Sequence, residues 1–278
     1  MVSVVIAAYN EEAVIGACLD ALRHEPPLEV VVVPNGCTDD TAAIARGRGV
    51  TVVERAEPGK TAALDAGDAA AAGFPRAYLD ADIRVPAADL LRLAASLGGS
   101  VLAVAPRRVL DVRGCALPVR AYAAVHQHLP VMATGLFGRG LVVLSEEGRA
   151  RFERFPELVA DDLFLDGLFA AGEKRVVSEV TVRVRMPRRT GELYRRLVRV
   201  RQGNRLLRAG SSDPVPPGPV PAGPADGSRS DRLAWAGVVL RRPWLAPAAV
   251  VYVALTLAAE LAARSGRQAS WRDDRARG

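Results

Sequence analysis

The chain has 278 residues, half of them apolar, with a net charge of +6 and a pI near 9.7. That length holds one large domain or two small ones with a real core. Its three cysteines, Cys18, Cys37 and Cys115, are scattered and include no Cys-x-x-Cys pair. They exclude a disulfide framework and a cysteine-based zinc or redox site, and fit a reduced, cytosolic setting. The basic excess is local: Lys174 to Arg208 carries twelve Lys or Arg against Glu179 and Glu192. Acidic partners such as phosphates, anionic lipid or nucleic acid suit such a stretch.

The chain enters an apolar run, "VSVVIAA" (2–8), without a basic leader or cleavage site, which reads as no signal peptide. Glu11 to Leu22 then places Val14, Ile15, Cys18, Leu19 and Leu22 at helical spacing, with Cys18 as a core thiol. "LEVVVVP" (28–34) is a second strand, and Thr38 or Asp39 is a plausible N-cap for the next helix. "VTVVER" (50–55) is a third strand, and an Ala-rich helix runs from Gly59 to Gly73. "RAYLDAD" makes the fourth strand; a helix (89–97) and a strand (100–106) follow. Strands alternating with helices predict a mainly parallel sheet with helices on both faces. Burial on both faces explains why these strands are continuous apolar runs.

Asp80 and Asp82 flank a lone alanine in "AYLDADIRVP". If the strand continues, both carboxylates face one way; if it ends, they sit at its tip. A solvated turn is the bland alternative. In open sheets of this kind ligands lie beyond the carboxyl ends of the strands. That places Ala8-Tyr9-Asn10, Pro34-Asn35-Gly36 and Asp80-Ala81-Asp82 along one rim. The loop after the first strand, "AAYNEE", lacks the glycines of a dinucleotide site. "PGKTAAL" lacks the leading glycine of a P-loop, because Glu54 stands there. Phosphate binding through a carboxylate-held divalent cation is the remaining route.

Further along, Gly135, Gly138 and Gly140 punctuate a run that either turns or lets backbone approach a ligand. "LVADDLFLDGLFA" (158–170) opens a helix with Asp161 and Asp162, and Asp166 lies one turn on. These acids either favour the helix dipole or do chemistry. Arg196 and Arg199, three apart, share a helix face that is either solvated or clamps phosphate oxygens. His126 and His128 have no acid at ligand spacing and read as structural.

In order, these motifs resemble the family 2 glycosyltransferases, which have the GT-A fold, from Val2 to about Asn204. "VVIAAYNEE" is similar to that family's first strand and nucleotide-binding loop. "VVVVPNGCTDDTA" is similar to its second strand, "GKTAALDAG" to its Gly-Lys-x-x-Ala-Leu-Asn-x-Gly segment, and "LDAD" to its Asp-x-Asp metal motif. "ADDLFL" stands at the family's Glu-Asp, whose aspartate is the general base, and "RLVRVRQG" resembles its Gln/Arg-x-x-Arg-Trp motif.

The resemblance implies an inverting transfer from a nucleotide diphosphate sugar to an acceptor hydroxyl. Ala8, Tyr9, Glu11, Asn35, Lys60, Asp80, Ala81, Arg196 and Arg199 would bind the donor. Asp82, with Asp80, would hold Mn²⁺ or Mg²⁺, and Asp162, with Asp161 beside it, would take the proton. Pro34 and Asn35 replace the family's usual two aspartates, so a uracil preference is not implied. Asp65 replaces the usual asparagine, and Asp161 the usual glutamate. Val200 replaces the tryptophan of polymerising relatives, which implies transfer of a single sugar. A sugar nucleotidyltransferase is the alternative enzyme, though its loop after the first strand is Gly-rich. A non-catalytic membrane-surface binder is the other alternative. Nucleic acid is disfavoured, since Tyr194 alone in the basic stretch offers stacking.

The expected organisation is a catalytic domain over 1–208, a Pro/Gly/Ser-rich linker over 209–232, an apolar helical segment over 233–265 and a polar tail over 266–278. Trp244 to Ala259 is uncharged, and Ala263 is reached past Glu260. Arg241 and Arg242 precede the run and Arg264 and Arg267 follow it. Such a segment either spans a membrane, lies in its interface or packs on the protein. Association with the cytoplasmic face of the cell membrane and a lipid-linked acceptor are the expectations drawn from it.

Overall fold

The computed structural model describes residues 1–25, 27–156, 161–209 and 234–264. The expected linker, apart from its first residue, and the whole expected tail lie outside them. The chain resolves into two compact units. Among the described residues, one comprises 1–25, 27–108, 136–156 and 161–183, and the other 109–135, 184–209 and 234–264.

A seven-stranded sheet has the order β3-β2-β1-β4-β6-β5-β7. Its strands are β1 (Ser3–Ala8), β2 (Glu29–Pro34), β3 (Thr51–Val52), β4 (Arg76–Leu79), β5 (Ala103–Asp111), β6 (Leu141–Leu144) and β7 (Lys174–Arg185). β3, β2, β1 and β4 pair in parallel, and β6 then runs antiparallel to both β4 and β5. Consecutive residues Val4, Val5 and Ile6 are all fully buried, so both faces of β1 are covered. This is the arrangement that continuous apolar strands require.

The first unit also holds α1 (Glu12–Ala21), α2 (Thr41–Arg46), α3 (Lys60–Ala70), α4 (Ala87–Ala95), α7 (Glu146–Arg149) and α8 (Asp161–Gly167). α3 lies close against β1 and β2 because Gly67 has no side chain; a Cβ there would collide with Val5. One core cluster joins Val5, Val31 and Val33 to Leu64, Leu144, Phe155 and Leu165. On α3, the buried carboxylate of Asp68 pairs with Arg76 and Arg149 and accepts from the Tyr78 hydroxyl at 2.9 Å. Asp65 accepts the Phe155 N–H at 2.9 Å.

Several boundaries differ from expectation. β3 is only two residues long, although Arg55 still bridges to Asn35. It lies at the sheet's edge, where one side has no neighbour to extend the pairing. α2 begins at Thr41 after Asp40, not after Thr38 or Asp39. Asp39 is occupied instead by the Thr41 N–H and hydroxyl and by the Glu12 N–H. β4 ends at Leu79, so Asp80 and Asp82 sit at the strand's tip in a turn closed by Ile83 N–H to Asp80 O at 3.0 Å.

The second unit is helical: α5 (Leu117–His126), α6 (Val131–Thr134), α9 (Thr190–Ala209), α10 (Ala234–Arg241), a 3-10 turn (Pro243–Leu245) and α11 (Ala246–Arg264). Its core joins Val119 and Tyr122 to Leu193, Leu197 and Val198 and to Ala259 and Ala263.

Candidate active site

Parallel neighbours β1, β2 and β4 bring their carboxyl ends to one edge of the first unit. Tyr9 and Glu11 lie half-buried in the loop after β1. Asn10 takes a left-handed conformation (φ 52°) and accepts the Thr38 N–H at 2.9 Å, tying that loop to the one after β2. Glu11 N–H donates to Thr41 Oγ1 at 2.8 Å.

Asn35 is 1% exposed. Its Nδ2 donates to Ala8 O at 2.8 Å, and its Oδ1 accepts the Gly59 N–H at 3.0 Å. The side chain of Asn35, expected among the donor-binding residues, has both amide atoms occupied within the protein. Asn35 instead fixes the start of α3, where the next residue is Lys60. Ala8 and Ala81 are also buried.

Lys60 joins the two acid clusters. Its Nζ lies 2.8 Å from Asp80 Oδ1 and 3.1 Å from Asp161 Oδ2. Burial alone would lower the pKa of this ammonium, but Asp161 and Asp80 outweigh it and hold the group above the ordinary lysine range. Burial, reinforced by the charges of Asp162 and Asp80, pushes the Asp161 carboxyl up to about 6 against the pull of Lys60. Asp82 is exposed. Burial, together with Asp82 and Asp80, pushes the Cys18 thiol up to about 12, so both carboxylates cast a negative field on α1.

The segment 136–140, "LFGRG", holds both clusters through its backbone. Asp80 N–H donates to Gly140 O at 2.8 Å. Gly138 N–H donates to Asp162 Oδ2 at 2.6 Å, and Leu136 N–H to Asp166 Oδ1 at 2.8 Å. Gly140 has φ 67°, and a Cβ there would strike Ile83 and stand 3.2 Å from Asp80 Oδ2, so only glycine fits. Arg139 between the two glycines is buried and donates to Pro106 O at 2.9 Å. Burial, helped by Arg108, lowers its pKa to about 10, opposed by Asp166. Asp166 is itself buried and pairs with Lys174 at 2.7 Å.

Lys60, Asp80, Asp161 and Asp162 are thus brought together, as their motifs led one to expect. Arg196 and Arg199 lie on α9, in the second unit. His126 stacks on Tyr122 with centroids 5.1 Å apart. The roles of Arg139 and Lys174 were missed. The only hint was a charge set between two glycines ahead of the apolar run "LVVL".

Among the described residues no group of three or more His, Cys, Asp or Glu is gathered to hold an ion. The donor chemistry still fits a hard divalent cation. Such ions use one or two carboxylates and take their remaining ligands from water and substrate phosphates. Asp82 and Asp80, two carboxylates at an open strand tip, match that demand.

Residues 3–136 match the family model described as Glycosyl transferase family 2. An uncharacterized glycosyltransferase of Mycobacterium tuberculosis is 38% identical over 107 residues, which is 38% of this chain and 48% of the relative. The chain therefore spans about half the length of the curated relatives it matches. A mannosyltransferase from Pyrobaculum calidifontis, solved with GDP-Man and Mn²⁺, superposes with a TM-score of 0.59 at 24% identity, covering 96% of this chain and 76% of that one. Glucosyl-3-phosphoglycerate synthase from Mycobacterium tuberculosis, solved with Mn²⁺, UDP-Glc and phosphoglyceric acid, superposes with a TM-score of 0.56 at 22% identity, covering 76% and 80%. The fold is that of the GT-A glycosyltransferases.

Proposed function

We propose, for a chain whose residues 3–136 match the family 2 glycosyltransferase model, a metal-dependent, inverting transfer of a sugar from a nucleotide diphosphate sugar to an acceptor hydroxyl. The observation that carries this reading is the bridge of Lys60 between Asp80 and Asp161. It joins the strand-tip carboxylate of Asp80 to the helix whose first turn carries Asp161 and Asp162. The donors bound in the two solved neighbours, GDP-Man and UDP-Glc, support the substrate class.

Tyr9 and Glu11 frame the base and ribose. Asp82, with Asp80, would hold Mn²⁺ or Mg²⁺. When bound, such an ion neutralises charge on the departing nucleoside diphosphate. Lys60 turns part of its hydrogen bonding from the carboxylates to the phosphate oxygens. Asp162 keeps Oδ2 on the Gly138 N–H and offers Oδ1 to the acceptor hydroxyl. The acceptor oxygen attacks the anomeric carbon and the carbon–phosphate-oxygen bond breaks. The hydroxyl proton passes to Asp162, and the nucleoside diphosphate leaves. A single displacement inverts the carbon. Asp161, spent on Lys60, is the supporting carboxylate.

The apolar run from Trp244 to Ala263 is placed at a membrane, on its cytoplasmic face, with a lipid-linked hydroxyl compound as acceptor. Pro243–Arg264 is long and apolar enough to cross a bilayer, and only 11% of its apolar window is buried. The donor assignment is tested by thermal shift with a panel of nucleotide diphosphate sugars, with and without Mn²⁺. A shift requiring both sugar nucleotide and metal is expected. A shift with nucleoside triphosphate alone points to a nucleotidyltransferase.

A further inference from the structure

A helix on a protein surface normally turns its polar side outward. α11 does the reverse. Ala246, Val250, Ala254, Leu257 and Leu261 recur at three- and four-residue intervals, and all are exposed. Val250, Leu257 and Leu261 are 71%, 57% and 65% exposed. This stripe carries no charge until Arg264 closes it.

The opposite side of α11 is already occupied. Ala259 and Ala263 are buried with Val119 and Tyr122 of α5 and with Leu193 and Leu197 of α9. Tyr252 stacks on Tyr122 with centroids 5.1 Å apart. Glu260, the one acid of the helix, faces Arg201 of α9 at 3.6 Å and Arg264 at 3.2 Å. The helix therefore puts its single acid toward protein and its apolar stripe toward solvent.

A spanning helix is surrounded by lipid, so crossing the bilayer would carry along the faces packed against it. α9 bears Arg195, Arg196, Arg199 and Arg201, and α5 bears Arg120. An arginine at the bilayer centre is costly, and several would cost far more than the apolar stripe returns. Lying in the interface, the same helix buries the stripe and leaves its partners in water.

The surroundings suit that placement. Leu240 and Trp244, just before α11, are 84% and 71% exposed, and Trp favours the headgroup level. Arg241 and Arg242 stand at this end and Arg264 at the other, which complements anionic headgroups.

We infer that the second unit docks monotopically on an anionic lipid surface, with α11 lying in the membrane plane. The inference rests on the membrane reading above and fixes its geometry. α11 is the buried stripe, Trp244 the interfacial anchor, and the flanking arginines the headgroup contacts.

The test uses the full chain and two readouts. In flotation with vesicles, the chain is expected to rise with phosphatidylglycerol-containing vesicles and far less with pure phosphatidylcholine. L257E combined with L261E, both at exposed positions, should lower the bound fraction about tenfold or more while thermal stability and donor binding hold. In sealed inside-out vesicles from expressing cells, added protease should remove both an N-terminal and a C-terminal tag. If one tag survives in chain that floats, α11 spans the bilayer; the in-plane geometry is overturned and membrane association stands. If the full chain stays soluble with both vesicle types, as a monomer or as a dimer closing this face, the membrane reading falls with it. Neither result touches donor binding, which reports separately on glycosyl transfer.

Discussion

Lys60 at the start of α3 and Asp161 at the start of α8 pair at 3.1 Å across a hundred residues of sequence. Because Lys60 also holds Asp80, it balances two carboxylates that would otherwise repel. K60M removes that balance and a donor for phosphate. Hydrogen bonds to charged groups are worth ~1.5–3 kcal/mol, so the donor KM should rise about tenfold to a hundredfold. K60R should recover part of the loss. Steady-state kinetics with varied donor checks this, and an unchanged KM removes Lys60 from the donor site.

Asp162 is expected to be the base. D162N should lower transfer by about 10²–10⁴-fold while donor affinity by calorimetry stays within a small factor. D161N serves as the comparison: it disturbs Lys60 and should weaken donor binding. If D161N alone abolishes transfer and D162N does not, the two roles are reversed.

Asp82 is exposed at the tip of β4. D82N should abolish metal-dependent turnover at saturating donor. The melting temperature without metal should hold, since exposed substitutions away from packed features stay within about ±0.5 kcal/mol. Turnover close to that of the parent chain would exclude Asp82 as a metal ligand.

Asp166 is buried with Lys174 at 2.7 Å and holds the Leu136 N–H. Removing one partner of a buried pair costs about 3–5 kcal/mol. D166N should therefore lower the denaturant midpoint sharply. A near-neutral effect would mean that the 136–140 segment is held by other contacts.

Glu173 pairs with Arg151 at 2.6 Å, and this hydrogen bond, with the Ala170 N–H, lowers its pKa from 4.5 to about 2. A depressed folded-state pKa contributes stability above about pH 4.5 that is lost as pH falls toward 2. E173Q should flatten the pH dependence of stability in that window and leave its shape above pH 5 unchanged. The pair is one-third exposed, so the change in size should be modest.

Much of this was legible in the sequence for physical reasons. Val4, Val5 and Ile6 form an unbroken apolar run because both faces of β1 are buried. The placement of Asp80 and Asp82 at a strand tip was legible because the apolar run of β4 stops at Leu79. The bonding of Asn35 was not legible, because an amide beside a strand tip looks the same whether it meets a ligand or bolts two loops together. The segment 136–140 was half-read, since its work is done by backbone N–H and C=O groups that no side chain advertises. Arg139 went unread because its burial depends on elements distant in sequence. The packing of α11 on α5 and α9 was invisible for the same reason, so its apolar run alone left its relation to the membrane open.

The most direct measurement incubates the full chain with nucleotide diphosphate sugars and Mn²⁺, follows nucleoside diphosphate release and reads the anomeric configuration of the product by NMR. Release that stops on chelation of the metal and a product of inverted configuration are expected. Retained configuration, or turnover confined to a nucleoside triphosphate with a sugar phosphate, would contradict it.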